Sequence, residues 1–214
     1  IDSAGRGIYI VDAVTGALVW KATVDPLDNT LSVCSAVGVV PATCTVAGMN
    51  YSIPADITLM DSDGDGYIDR LYAVDMGGNV WRVDLQREGN LINNTPDYWR
   101  VHKVASLGGF GSPLRKFFYP PDVVSTSTFD AVIVGSGDRE HPLYTNAAFD
   151  KQNRIFMLKD VSGNDGSSLT TIVKANLFDA TSATYTVAAS SFDGSTTPNK
   201  GYFIDLRDGE KVVN

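Results

Sequence analysis

Cysteine and histidine are nearly absent, with two of each in 214 residues. No histidine lies near Cys34 or Cys44. A zinc centre needs several thiolate or imidazole ligands at close spacing, so none is encoded here. Basic residues are also few, 17 Lys and Arg against 25 Asp and Glu, for a net charge of −8. A field of that sign repels nucleic-acid phosphates and anionic lipid surfaces. Long apolar runs are missing too. The most apolar stretch, Val33 to Gly48, is broken by Pro41 and several Ser and Thr residues. It is too short and too interrupted to span a bilayer as a helix. No segment shows a helical hydrophobic period. What is present is a 43% hydrophobic, 20% charged composition, which suits a globular core.

The apolar residues fall into short strands separated by Gly, Asp and Asn turns. Gly7-Ile8-Tyr9-Ile10-Val11-Asp12 leads through Thr15-Gly16 into Ala17-Leu18-Val19-Trp20-Lys21. Arg70-Leu71-Tyr72-Ala73-Val74-Asp75 leads through Met76-Gly77-Gly78-Asn79 into Val80-Trp81-Arg82-Val83. A third copy runs from Asn153 to Asp160 with a turn at Ser162 to Gly166, and a fourth opens at Gly201-Tyr202-Phe203-Ile204-Asp205. Asp130 to Gly135 reads as a further strand. Recurring hairpins of matched chemistry predict an all-β fold, a partial β-propeller of about four to five blades. Trp20 and Trp81 hold equivalent hairpin positions and read as packing between blades. Residues 1–214 are expected to form part of one propeller domain, with insertions near 28–52 and 181–200. The chain opens at Ile1 and stops inside an apparent strand at Val212-Val213-Asn214. It therefore reads as a piece of a longer protein.

The strongest chemical signal is Asp61-Ser62-Asp63-Gly64-Asp65-Gly66-Tyr67-Ile68-Asp69. Carboxylates stand at loop positions 1, 3, 5 and 9 with glycine at position 6, the first three quarters of an EF-hand calcium loop. Like charges at such spacing repel by about 1 kcal/mol per pair in water, and a hard divalent cation turns that repulsion into coordination. The expected ligands are the side chains of Asp61, Asp63 and Asp65, the Tyr67 carbonyl, and Asp69 directly or through water. Gly66 supplies the positive φ that turns the chain around the ion. Ile68 is expected to pin the loop to the core. Calcium is favoured over magnesium, which prefers few carboxylates and keeps its waters. Position 12 is Tyr72 rather than the bidentate Glu, and the flanks read as strands. The ion is therefore placed between two strands of an antiparallel meander.

Three further features have bland readings. Cys34 and Cys44 bracket a Ser/Ala/Val/Gly/Pro loop and form either a local disulfide or two free thiols. The disulfide is preferred and implies an oxidising compartment. Gly137-Asp138-Arg139-Glu140-His141-Pro142 holds an acid, a base and an imidazole in a row. Sequence neighbours on a turn point apart, and no activated Ser or Cys accompanies them, so it reads as a strand-end turn with a local ion pair. His102 reads as structural.

The order of these features carries a resemblance. Asp61–Asp69 running into Arg70-Leu71-Tyr72, then Gly78-Asn79-Val80-Trp81-Arg82, then Val134 to Leu143, then Gly201 to Leu206, resembles the C-terminal propeller of PilY/PilC-type type IV pilus tip proteins. The Gly7–Trp20 repeat looks like a blade of quinoprotein-like propellers. The resemblance covers most of the chain and is weakest over the two insertions. It implies a secreted, non-enzymatic, calcium-dependent protein at the pilus tip on the bacterial outer membrane. It implies roles in adhesion, pilus biogenesis and retraction control, and twitching motility. The implied partners are other tip proteins, minor pilins and host or surface ligands. An alternative is a quinone-dependent dehydrogenase on a related propeller, but no adjacent cysteines are present to cover a quinone. Another is a generic extracellular propeller that binds sugar or protein.

Overall fold

The computed structural model describes residues 2–24, 33–34, 42–85, 99–110, 114–141, 152–161, 170–182 and 200–212. Its strands in chain order begin with β1 (Gly7–Val11), β2 (Leu18–Thr23), β3 (Val33–Cys34), β4 (Ala42–Thr45) and β5 (Thr58–Met60). Next come β6 (Arg70–Val74), β7 (Asn79–Asp84), β8 (Arg100–Ser106), β9 (Asp122–Ser125) and β10 (Asp130–Gly135). The last are β11 (Arg154–Asp160), β12 (Ile172–Val173), β13 (Phe178–Asp179) and β14 (Gly201–Asp205). The described residues include one turn of 3-10 helix, Lys174–Asn176, and none of their helices is long and apolar enough to cross a membrane.

Three sheets result. The first has the order β1-β2-β4-β3, the central one β12-β8-β7-β6-β5, and the third β13-β14-β11-β10-β9. Most neighbours are antiparallel; β2–β4, β8–β12 and β13–β14 are parallel. The expected all-β, propeller-like class therefore holds. The sequence repeats suggested four to five blades, whereas the described residues form three sheets. The reason is pairing: β10, β11 and β14, read separately in the sequence, hydrogen-bond side by side in the third sheet. Within the stretch expected as the first insertion, Ala42–Thr45 runs parallel to β2 and extends the first sheet. Most of the second expected insertion, 183–199, and the turn at 162–166 lie outside the described residues.

The middle of the central sheet, β6 and β7, is buried on both faces. Every residue of β6 is buried, and the period of two sends alternate side chains to opposite sides. Leu71, Ala73, Trp81 and Val83 join Ile8, Trp20 and Ala22 of the first sheet in one cluster. Tyr72, Val74 and Val80 join Val132, Val134, Phe156, Leu158 and Phe203 of the third in another. Each fully buried side chain of this size contributes about 1.5–3 kcal/mol. Both Trp20 and Trp81 are fully buried in the first cluster, as their matched positions predicted. Trp99 meets Trp20 edge-on, with ring centroids 6.1 Å apart.

Cys34 and Cys44 face each other across β3 and β4 and are joined by a disulfide. The bridge closes a loop with a sequence separation of 10. On the chain-entropy model, a loop of this size stabilises by about 2–3 kcal/mol. Cys34→Ser/Cys44→Ser should lose that amount in urea unfolding against the oxidised wild type. An unchanged midpoint would show that the bridge adds nothing to the first sheet.

Candidate metal centre

The loop Asp61–Asp69 joins β5 to β6, whose ends pair Met60 with Arg70. This is the meander setting the sequence predicted. The loop is folded by its own carboxylates. Asp61 accepts from the Gly64 and Gly66 N–H groups at 2.7 and 2.9 Å. Asp63 accepts from the Asp65 N–H at 3.1 Å, and Asp65 from the Tyr67 N–H at 2.8 Å. Gly66 has φ +90° and Gly64 +77°, a region where a Cβ is strained. These turns aim three acids at one point: carboxylate oxygens of Asp61, Asp63 and Asp65 lie within 4.8 Å of one another.

Asp69 sits at the foot of the loop and is buried. Its Oδ2 accepts from the Ser62 N–H and hydroxyl at 2.6 and 2.7 Å. Its Oδ1 is buried with no hydrogen-bond partner among the described residues. The anchor of the loop is thus the Asp69–Ser62 pair, and not Ile68, which is 37% exposed. A carboxylate there satisfies a backbone donor that an aliphatic side chain leaves unpaired, which explains the difference. Tyr67 is exposed at position 7.

The electrostatics record the crowding. The Asp65 N–H bond pulls the Asp63 carboxyl down. Desolvation and repulsion from Asp69, Asp65 and Asp61 outweigh it, and the carboxyl is held above its ordinary value. Asp61 moves the other way, chiefly through the Gly66 N–H, against a smaller desolvation penalty. An orphaned buried oxygen, three convergent acids and a repelled carboxyl fit a hard divalent cation with oxygen ligands.

The other predicted features fall into structural roles. Asp138 accepts the Glu140 and His141 N–H groups and pairs with Lys116 at 2.9 Å and His141 at 3.0 Å. Burial raises its carboxyl, but the Lys116 and His141 contacts prevail and hold it below the ordinary range. Asp138, Glu140 and His141 form a second convergent cluster. Lys116, from outside the motif, supplies its cation, whereas the sequence suggested an ion pair local to the turn. His102 Nε2 meets Asp84 at 3.0 Å, between the neighbouring strands β8 and β7.

Sequence reasoning missed the larger polar assembly behind the loop. Arg70 reaches Asp130 at 2.5 Å, and Arg82 reaches Asp160 at 2.8 Å and Asp84 at 3.0 Å. The Tyr72 hydroxyl lies 2.8 Å from Asp130 and 2.9 Å from Asp160. Burial, then the Asp160 and Asp130 charges, push the Tyr72 phenol far above its usual range, so it keeps its proton and donates. Burial lowers the Arg82 guanidinium, but Asp84 and Asp160 more than reverse that. The available signal was an arginine on each of two otherwise largely apolar strands, Arg70 on β6 and Arg82 on β7. Such a charge needs an acid on the facing sheet. Asp75 was also missed: it accepts from Gly77, Asn79 and Trp81 beneath the β6–β7 turn. Next to it, Gly78 has φ +75°, and a Cβ there would sit 2.5 Å from Gly108.

No family model matches the chain. Two comparisons nevertheless agree on a class, the type IV pilus proteins. Over 114 residues, 53% of the chain, it is 30% identical to a type IV pilus biogenesis factor PilY1 homolog of Xylella fastidiosa strain Temecula1. The crystal structure of the Pseudomonas aeruginosa PilY1 C-terminal domain matches 96% of the chain with a TM-score of 0.61 and 17% identity. The chain thus resembles PilY1-type proteins in sequence over about half its length and in fold over nearly all of it, the resemblance its motifs carried. It spans 6% of the Xylella relative and 46% of the Pseudomonas domain.

Proposed function

We propose that this chain is the calcium-binding propeller segment of a type IV pilus-associated protein and carries no enzymatic activity of its own. The observation that supports it most is the convergence of Asp61, Asp63 and Asp65, a cluster that does not itself include Asp69. On this reading the three exposed carboxylates hold the ion, with the Tyr67 carbonyl and Asp69 completing the shell. The ion neutralises an acidic turn and fixes its surface for other tip proteins, minor pilins or a host ligand. The likeness to type IV pilus proteins supports a place at the cell surface, and the proposal extends it to the pilus tip and to roles in adhesion, biogenesis, retraction control and twitching. The strands flanking the loop are held by their own sheet, so the ion acts locally rather than as a condition for folding.

Calorimetric titration of calcium into the chelator-stripped chain tests the site. One calcium per chain is expected, with no binding heat for Asp61→Ala/Asp65→Ala. Equal heats for the two proteins would remove the assignment. In a bacterium carrying the full-length protein, the same double variant should shrink the twitching zone. Unchanged twitching would break the link from ion to pilus function while leaving the site intact.

A further inference from the structure

A cavity of about 890 Å³ is lined by the central sheet through Ser106 and Leu107 and by the third sheet through Arg154 and Phe203. That volume is in the range of small-molecule sites, about 300–1,000 Å³. Leu107, Leu177 and Phe203 give it apolar walls, and all three are buried. Its described lining also carries three cations, Arg115, Arg154 and Lys174, and no carboxylate. This occurs in a chain with a net charge of −8.

The three cations are not equally matched. Arg154 pairs with Asp205 and stacks over Phe203, with its guanidinium carbon 5.1 Å from the ring centre. Lys174 is exposed, with its ammonium 4.6 Å from the same ring, and the nearby Asp179 feels its charge. Arg115 is 6% exposed, and its hydrogen-bond partners among the described residues are neutral. Its Nε donates to the Gln152 carbonyl at 2.7 Å and its Nη1 to the Leu107 carbonyl at 2.8 Å. Among the described residues no carboxylate pairs with it. Burial and repulsion from Arg154, opposed by Asp205, pull this guanidinium from its usual value down to about 10. A buried charge without a counterion is costly, and a guanidinium fork matches a carboxylate's two oxygens.

We propose that this cavity binds an amphiphilic organic anion. Its carboxylate head would meet the cationic lining, and its aliphatic or aromatic body would lie against Leu107, Leu177 and Phe203. The site is separate from the acidic loop and independent of any ion there. The cations select the head, and the apolar walls favour an amphiphile over a small inorganic anion, which would leave them uncovered. Lys174 and Ala175, both exposed on the 3-10 turn, stand at the mouth.

Sodium decanoate titrated into the 214-residue chain with chelator present tests this, with decanol and decylamine as controls. Saturable one-to-one binding is expected, at least tenfold tighter for decanoate than for either control. Arg115→Met also deletes two buried hydrogen bonds, so the mouth variants carry the test. Lys174→Glu should weaken decanoate tenfold or more, and Ala175→Trp should abolish its binding, both with an unchanged melting temperature. Absence of saturable binding, decanol binding as tightly as decanoate, or both variants matching wild type would overturn the proposal.

Discussion

Arg82→Met is expected to lose about 3–5 kcal/mol of unfolding free energy at neutral pH, the range for removing one partner of a buried ion pair. Native stability is only about 5–15 kcal/mol, so a loss of this size unfolds part of the population without denaturant. Arg82 is 1% exposed and, among the described residues, is the one cation paired with both Asp160 and Asp84. Methionine fills most of its volume, so the loss reports charge rather than a cavity. Asp160 would retain the Tyr72 hydroxyl, whose single proton also serves Asp130. Asp84 would retain His102 and a longer contact to Arg70 at 3.5 Å. Neither remainder replaces a guanidinium that bridges two carboxylates. Arg82→Lys should not rescue, because one ammonium lacks the planar fork. Adding Asp160→Asn to Arg82→Met should recover part of the loss, since the stranded charge is gone. Urea unfolding of the single and double variants gives the coupling directly. A single-variant loss under about 1 kcal/mol, or no recovery in the pair, would show that this assembly does not hold the central and third sheets together.

That assembly also marks where sequence reading stops. The Asp61–Asp69 loop was legible because all of its chemistry is local: the spacing of acids and glycines fixes which N–H each carboxylate meets. The matched tryptophans were legible because a repeat shows equivalent positions without showing contacts. The buried ion pairs were not, because Arg70 and Asp130 lie sixty positions apart in the chain and meet only when two sheets stack. The same distance hid the third sheet. Residues 154–160 and 201–205 read as separate hairpins until Phe156 and Phe203 fall opposite each other in register. Asp69 shows the intermediate case. Its place in the loop was clear, but its role as the buried anchor depends on Ser62, a residue the ligand pattern leaves unassigned.

Strand β6 separates two uses of aspartate, and their substitutions should behave oppositely. At its N-terminal end Asp61, Asp63 and Asp65 are exposed and, on the proposed reading, serve an ion. At its C-terminal end Asp75 is fully buried and serves the fold. Asp75 Oδ1 accepts from the Gly77 and Asn79 N–H groups, each at 2.9 Å, and Oδ2 from Asn79 Nδ2 and Trp81 Nε1, each at 2.8 Å. Burial raises its carboxyl, against the pull of these donors. Asp75→Ala strands four donors, and an unmade buried bond costs about 1–3 kcal/mol. Relief of the buried charge offsets part of this, so a net loss of about 3–5 kcal/mol is expected by the same reasoning. Asp75→Asn keeps one acceptor and should lose roughly half as much. Both losses should be the same in calcium and in chelator. Asp61→Ala should instead stay within about 1 kcal/mol of wild type in chelator, because its bonds are exposed. In excess calcium it should fall behind by the ion's stabilisation, about 2.7 kcal/mol at a hundredfold excess over the dissociation constant. Thermal unfolding of the three variants in both buffers separates the two classes. A calcium-dependent loss in Asp75→Ala would mean that the turn and the loop are one unit, and a calcium-independent one in Asp61→Ala would mean that the loop acids serve the fold alone.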